Sequence, residues 1–274
     1  MKQVIGDEEI KALMSAIERR YGLDFTNYEI KSLKRGIFRL MMKRKLKNIL
    51  ELWSIILKDE EFFKESIDDL MVNLTELFRN PDAWMKIKSI VSENFKDTPI
   101  LKIWHAGCST GEEVYTMAII LKELNRLPRT KALATDLSSR VLKKAKEGQY
   151  SLLVMQNYLK PFLEFFPNKK MEDFFDFEEF NANVKSELKS HVNFKRHNLA
   201  QDPMNEKFDI IFCRNVMIYF DETLKLHVLN MFNSVLNEGG FLVIGYYDTM
   251  PKSGADIFDI YDNKTRIYKK KLNN

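Results

Sequence analysis

The sequence predicts two regimes in one chain: an all-α N-terminal domain, then an α/β domain on a parallel sheet. Three observations carry this. Up to about residue 70, apolar side chains recur at helical spacing, as in Ile10, Leu13, Met14 and Ile17. From Ile100 onward, short apolar runs alternate with helical patterns, the mark of parallel strands joined by crossovers. The stretch ILKIWHAGCSTGEEVY at 100–115 runs from strand through a small-residue turn into a helix start. That corner is where open α/β sheets bind ligands.

In chain order, the spacing predicts helices over 8–20, ended by Gly22, then 27–47, 49–57 and 61–72. The second carries Leu33, Ile37, Leu40 and Met41 on one side and a basic stripe on the other. Lys31, Arg35, Arg39, Lys43 and Lys47 recur every fourth residue, and no acid lies between Lys31 and Lys47. Such a face is either solvated or a docking surface for something acidic, and the missing acids favour docking. Residues 73–81, NLTELFRNP, alternate polar and apolar side chains, with Pro81 a break or a helix start. Strands follow at 100–105, 132–136, 192–196, 208–213 and 241–245, with Gly239-Gly240 turning into the last. Helices are expected at 112–125, 138–147 and 221–236, and a closing hairpin around Asp262-Asn263. Residues 148–190, rich in phenylalanine and acids, are too long for a simple connection and form a small excursion. The expected domains are 1–72, all-α; 73–99, a linker and lead-in helix contributing to the ligand site; and 100–274, the α/β domain with its insertion.

The turn at 106–111 alone is as compatible with a tight bend as with a ligand site, since its spacing is Gly-x-x-x-Gly. Asp136 favours the ligand site. It ends the second strand about 25 residues past Gly111, where a carboxylate can accept hydrogen bonds from both ribose hydroxyls. The corner has no Gly-Lys-Ser/Thr, and Glu112 and Glu113 put negative charge where a pyrophosphate would sit. A nucleoside carrying positive charge fits better, and S-adenosylmethionine is such a ligand. Gly107 lets backbone approach it closely.

At 274 residues the chain is long enough for two cores, and 45% hydrophobic with 30% charged residues is ordinary for a globular protein. No apolar run approaches the ~18 residues needed to cross a bilayer. The opening MKQVIGDEEIKALM mixes acids and bases where a signal peptide needs an apolar block, so a cytoplasmic location without membrane insertion is expected. Cys108 and Cys213 suit a reducing compartment as buried thiols, although as ends of adjacent strands they could approach one another. No metal site and no obligate dimer are expected, and a monomer is the expected state.

Four stretches in order, NLTELFRNP at 73–81, STGEEVYTMA at 109–118, ATDLSSRVLKKAKEGQY at 134–150 and FCRNVMIYFDE at 212–222, carry a resemblance. Over roughly residues 25–245 the sequence resembles the chemoreceptor glutamate O-methyltransferases of bacterial chemotaxis, the CheR family. The resemblance implies a Rossmann-like class I S-adenosylmethionine-dependent methyltransferase domain behind a small all-α domain. It also implies methyl esterification of glutamates on cytoplasmic chemoreceptor helices during sensory adaptation, leaving S-adenosylhomocysteine. Carried onto matching positions, it places Asn73, Thr75 and Arg79 at the cofactor, with Arg79 near the reacting centre. Glu113 and Asp136 would hold the methionine and ribose portions, with Asn198 and Leu199 beside the adenine. Cys213 and Arg214, which open the turn after the fourth strand, would also bind the cofactor, and Tyr219 would stand near the methyl group. Arg79 and Tyr219 are the expected catalytic pair, and Lys31, Arg35, Arg39 and Lys43 the expected receptor-docking residues. His197 reads as a surface or strand-end residue.

The sequence departs from the family pattern twice. Gly245-Tyr246-Tyr247-Asp248 stands where a Gly-His-Ser-Glu-like turn is common. The 148–190 insertion occupies the place of a β-subdomain that in some members grips a receptor's C-terminal tether, but its composition does not match, so tether binding is not expected. A nucleic-acid methyltransferase is the first alternative, weakened by the lack of an Asp/Asn-Pro-Pro-Tyr motif and of a proline before Cys213. A non-catalytic S-adenosylmethionine-binding adaptor is the second, opposed by the intact Asn73, Arg79, Asp136 and Tyr219 set.

Overall fold

The computed structural model describes residues 5–71 and 74–271, so the site expectation for Asn73 lies outside the described residues. Four helices come first: α1 (Asp7–Tyr21), α2 (Ile30–Lys43), α3 (Ile49–Lys58) and α4 (Glu60–Leu70). Their inward faces share one core that includes Ile10, Leu13, Ile17, Ile37, Leu40, Leu52, Ile56 and Phe63. Asn48 and Asp59 cap α3 and α4, each accepting from a backbone N–H three residues on at 2.9 Å. Gly36 lets α2 lie directly on α4, since any Cβ there would strike the Leu70 carbonyl.

The second helix is shorter at both ends than its basic periodicity suggests. It stops at Lys43 because the chain turns back: Lys45 adopts φ 55° and the Leu46 N–H donates to the Met41 carbonyl at 2.9 Å. Lys47 therefore leaves the stripe, and its N–H donates to Glu51 instead. Nor is the stripe without acids in three dimensions, because α4 supplies them. Lys43 pairs with Asp69 at 2.6 Å and Arg44 with Glu65 at 2.7 Å. Lys31, Arg35, Arg39 and Lys43 remain exposed beside Phe38 and Met42.

Helix α5 (Pro81–Asn94) opens the second half, with proline at its first turn. Then come β1 (Leu101–Ala106), α6 (Glu112–Glu123), β2 (Thr130–Asp136) and α7 (Ser139–Glu147), the last capped by Ser138. The insertion holds β3 (Gln149–Ser151), α8 (Leu152–Phe165), β4 (Phe175–Phe177), β5 (Asn181–Val184) and α9 (Ser186–Lys189). The chain finishes with β6 (Val192–Arg196), β7 (Phe208–Cys213), α10 (Glu222–Val235), β8 (Leu236–Ile244), β9 (Phe258–Asp262) and β10 (Ile267–Lys270). The main sheet runs β6-β2-β1-β7-β8-β10-β9, parallel through β8, with β9 and β10 forming the antiparallel closing hairpin. Strand β7, FDIIFC, is buried at every position, as a central strand covered on both faces must be.

Strand β8 corrects the expected 241–245. It starts five residues earlier, directly out of α10, and Gly239-Gly240 lie inside it as an irregularity opposite Phe208–Ile210. Gly239 carries φ 73°, so the glycines serve a bulge rather than a turn before the strand. In the insertion, the small sheet β3-β5-β4 stands apart from the main one. Its phenylalanines divide by side: Phe162, Phe165, Phe166, Phe174 and Phe175 are buried, whereas Phe177 and Phe180 are exposed. Phe78 of the linker is plugged among them, with ring centroids 5.2–5.8 Å from Phe162, Phe165 and Phe166. No helix among the described residues is long and apolar enough to cross a membrane.

The Gly36 contact gives a stability prediction. Gly36→Ala should lower the urea midpoint of the full chain by the equivalent of at least about 2 kcal/mol, the cost of forcing two packed elements apart. An unchanged midpoint would mean that α2 and α4 separate at no cost.

Candidate active site

The strand order reverses between β1 and β7, and the cleft opens there, at the carboxyl ends of the parallel strands. It is walled by residues of the linker, the strand ends and the N-terminal domain, among them Arg79, Asp136 and Tyr28. Each neighbouring strand delivers a residue to its wall as it ends: Gly107 after β1, Asp136 from β2, Asn198 after β6 and Arg214 after β7.

The glycine corner is held tight against β2. The N–H groups of Gly107 and Cys108 both donate to the Thr135 carbonyl, at 2.8 and 2.9 Å. Gly107 has φ 85° and a Cβ there would collide with Val216, so the corner has no room for a side chain. Asp136 stands at the cleft floor, its two oxygens accepting from the backbone N–H of Ser109 at 2.9 Å and of Ser138 at 3.0 Å. Burial pushes its pKa up, while these two bonds hold the carboxylate in place. A carboxylate has about four acceptor sites, so two remain for a diol.

The two glutamates at the start of α6 part company. Glu113 lines the cleft, accepting from His105 Nδ1 at 3.0 Å and pairing with Arg214 at 3.4 Å. Glu112 turns into the protein and accepts from the Thr110 hydroxyl at 2.7 Å and the Tyr158 hydroxyl at 3.0 Å. Glu113 alone was expected at the ligand, and it alone lines the cleft, because consecutive helical side chains diverge by about 100°.

Arg214 is buried. Besides Glu113 its guanidinium donates to the Arg79 carbonyl at 2.9 Å and to Asn80 Oδ1 at 3.0 Å, and it lies 5.2 Å from the Trp84 ring centre. It therefore fastens the linker to the sheet. Thr75, Arg79, Asn198, Leu199 and Tyr219 all line the same cleft. The expected cofactor contact from Cys213 is corrected: as the last residue of β7 it is fully buried in the core with Met217 and Ile244 and does not line the cleft. Cys108 does, and both cysteines are free and buried.

Three features were not read from the sequence. Tyr28 of the N-terminal domain lines the cleft. His197 follows the end of β6 as expected but is buried rather than on the surface, its ring edge-on to Trp104 at 5.4 Å. It stands on the cleft wall, and burial pushes its pKa down, which favours the neutral imidazole. Asp248, at the end of the departing turn, is fully buried and accepts from three backbone N–H groups: Asn215 at 2.6 Å, Gly245 at 2.7 Å and Ile218 at 2.9 Å. The acid that shapes the turn is thus present although its neighbours differ, and the Tyr246 hydroxyl bonds Asp82 of α5.

Burial pushes the Asp248 pKa up to about 6. A carboxyl whose folded pKa exceeds its unfolded value near 3.8 contributes stability below that value and loses it as pH rises through the folded pKa. The wild type should therefore gain stability relative to Asp248→Asn as pH falls from 7 to 4, measured by urea midpoints at each pH. Asp248→Ala, which strands three buried donors, should cost at least about 2 kcal/mol. Parallel pH profiles for wild type and Asp248→Asn would contradict this account of the turn.

Together the cleft offers a carboxylate with acceptor positions to spare, a second carboxylate held by a buried arginine, and a glycine that admits close approach. These residues fit S-adenosylmethionine. Family-model comparison matches residues 8–71 to the CheR methyltransferase all-alpha domain and residues 73–267 to the CheR methyltransferase SAM binding domain. The chain is 34% identical over 265 residues to the Pseudomonas putida protein named "Putative methyltransferase Cher3", covering 96% of this chain and 97% of that one. It is 33% identical to a chemotaxis protein methyltransferase of Borreliella burgdorferi (90% and 89% covered) and 31% identical to one of Listeria innocua (84% and 85%). With both domain models matched in order across nearly its whole length, the chain belongs to the CheR methyltransferase family, and is an S-adenosylmethionine-dependent methyltransferase.

Proposed function

We propose that the chain esterifies glutamate side chains on cytoplasmic chemoreceptor helices, working as a monomer in sensory adaptation. The observation that carries this is the placement of the basic face. The N–H of Glu29, the residue before α2, donates to the Tyr219 carbonyl at 2.8 Å, so the exposed Lys31, Arg35, Arg39 and Lys43 continue from the cleft wall. An acidic helix lying on α2 would bring its carboxylates toward that cleft. The chemotaxis names of the relatives agree with such a substrate.

When bound, S-adenosylmethionine supplies an activated methyl group on a sulfonium centre. Asp136 would accept from the ribose hydroxyls, and Glu113, fixed by Arg214 and His105, would face the positively charged tail. Asn198 and Leu199 would flank the base. Thr75 and Arg79 close the linker side. Arg79 presents paired donors for the incoming carboxylate, and Tyr219 a directional hydroxyl opposite it. A glutamate is already ionised at neutral pH, so these residues need only align it and exclude water.

Transfer of labelled methyl to receptor cytoplasmic fragments tests this, with base-labile label released as methanol as the readout. Arg79→Ala should reduce turnover at least about tenfold while the protein stays folded, the loss of one charge-assisted bond being about 1.5–3 kcal/mol. Unaltered turnover would remove Arg79 from the reaction, and base-stable label would overturn carboxyl methylation. Charge reversal at Lys31 and Arg35 should raise the KM for receptor fragments and leave the affinity for S-adenosylhomocysteine unchanged. An unchanged KM would exclude α2 as the docking face.

A further inference from the structure

Tyr28 belongs to the helical domain yet lines the cleft of the methyltransferase domain. The segment that bears it is stitched to the loop after β7. The Glu29 N–H donates to the Tyr219 carbonyl at 2.8 Å, the Asp221 N–H donates to the Asn27 carbonyl at 2.9 Å, and Tyr28 pairs with Phe220 as an antiparallel bridge. The ring is fixed edge-on between Phe25 at 5.0 Å and Phe220 at 5.2 Å. A second clasp lies beside it: Gln201, in the turn after Asn198, donates to the Gly22 carbonyl at 3.0 Å. Loop 22–29 is thus laid over the turns that carry Asn198 and Tyr219.

A phenylalanine would fill the slot between Phe25 and Phe220 as well as a tyrosine does, so packing does not account for the hydroxyl. That hydroxyl has no hydrogen-bond partner among the described residues, whereas part-buried tyrosine hydroxyls ordinarily find one. Burial, and then the Asp136 and Asp24 carboxylates, push its pKa up, which keeps it protonated and able to donate. Asp136 itself is an acceptor only. A ligand lying between them meets a donor on one side and an acceptor on the other, which suits the oxygens and hydroxyls of a ribose.

We propose that Tyr28 is a cofactor-binding residue supplied by the N-terminal domain, its hydroxyl hydrogen-bonding the nucleoside part of the ligand across from Asp136. This rests on the reading of the cleft as the cofactor site, and makes the helical domain part of that site as well as of substrate docking.

Calorimetry on the full chain tests it, with S-adenosylhomocysteine and 5′-methylthioadenosine as probes; the second lacks the amino-acid tail. Tyr28→Phe should raise the Kd about five- to tenfold, the worth of one net hydrogen bond, by a similar factor for both probes, with the melting temperature unchanged. Tyr21→Phe serves as the structural control: its hydroxyl bonds the Ile56 carbonyl at 2.6 Å inside the helical domain, so its loss should affect melting and not Kd. A wild-type Kd in Tyr28→Phe would overturn the proposal, as would a loss confined to the probe with the tail. If Asp136→Ala still weakens binding in that case, the cleft assignment stands and only the role of Tyr28 falls. If the wild type binds neither probe, both fall together.

Discussion

The structure of the cleft depends on one buried cation. Taking a guanidinium out of water is costly, and it is tolerated only where partners are fixed around it. Arg214 has a carboxylate from α6, a carbonyl and an amide oxygen from the linker, and the Trp84 ring of α5. Breaking such a set by removing one partner costs on the order of 3–5 kcal/mol. The linker, the start of α6 and the end of β7 therefore have one arrangement in which the charge is satisfied. Two consequences follow for function. Glu113 is directed at the cleft rather than left to swing, and Arg79 has its backbone held by Arg214 while its side chain reaches the cleft wall.

The second constraint is that the two domains are not independent bodies sharing a chain. Asp68 of α4 is paired with Arg140 of α7, and loop 22–29 is bonded to the turns after β6 and β7. Gly36 removes the side chain that would hold α2 away from α4. The basic face of α2 thus stands at a fixed distance from Asp136 and Tyr219. As the proposed docking face, it would set the register of a bound helix as well as attract it, because attraction alone is screened within about 10 Å at ordinary ionic strength.

Much of this was legible in the sequence where the signal is local. The strand–glycine–helix corner, the carboxylate ending β2 and the strand at 208–213 each follow from spacing over a few residues. What was not legible depends on partners remote in sequence. Asp248 looked like a departure at the cleft rim, and its meaning lies in Asn215 and Ile218, some thirty residues earlier. The stripe from Lys31 to Lys47 looked free of acids because its acids, Glu65 and Asp69, are on α4. His197 gave no sign of burial, since a lone histidine after a strand reads the same whether or not a Trp104 lies beneath it. The phenylalanines of the insertion were conspicuous, but only the fold reveals that Phe78 of the linker completes their cluster.

The electrostatics of the helix start explain which ligands the cleft admits. An exposed helix N-terminus at a glycine corner is ordinarily an anion site. Here Glu112 occupies the first turn from inside the protein and Glu113 from the cleft side, so the positive end of α6 is already answered by the protein's own carboxylates. A phosphate chain would meet Glu113 and Asp136, whereas a sulfonium and an ammonium are favoured there. Of the guanidiniums on the wall, that of Arg214 is buried against its partners, while Arg79 donates only to the Leu74 carbonyl among the described residues. Positive charge at the linker side, continued outside by Lys31 and Arg35, opposes negative charge at the floor. On the proposed reading, that gradient would bring a carboxylate toward the electrophile from one side and hold the cation on the other, the alignment that displacement at a methyl carbon requires.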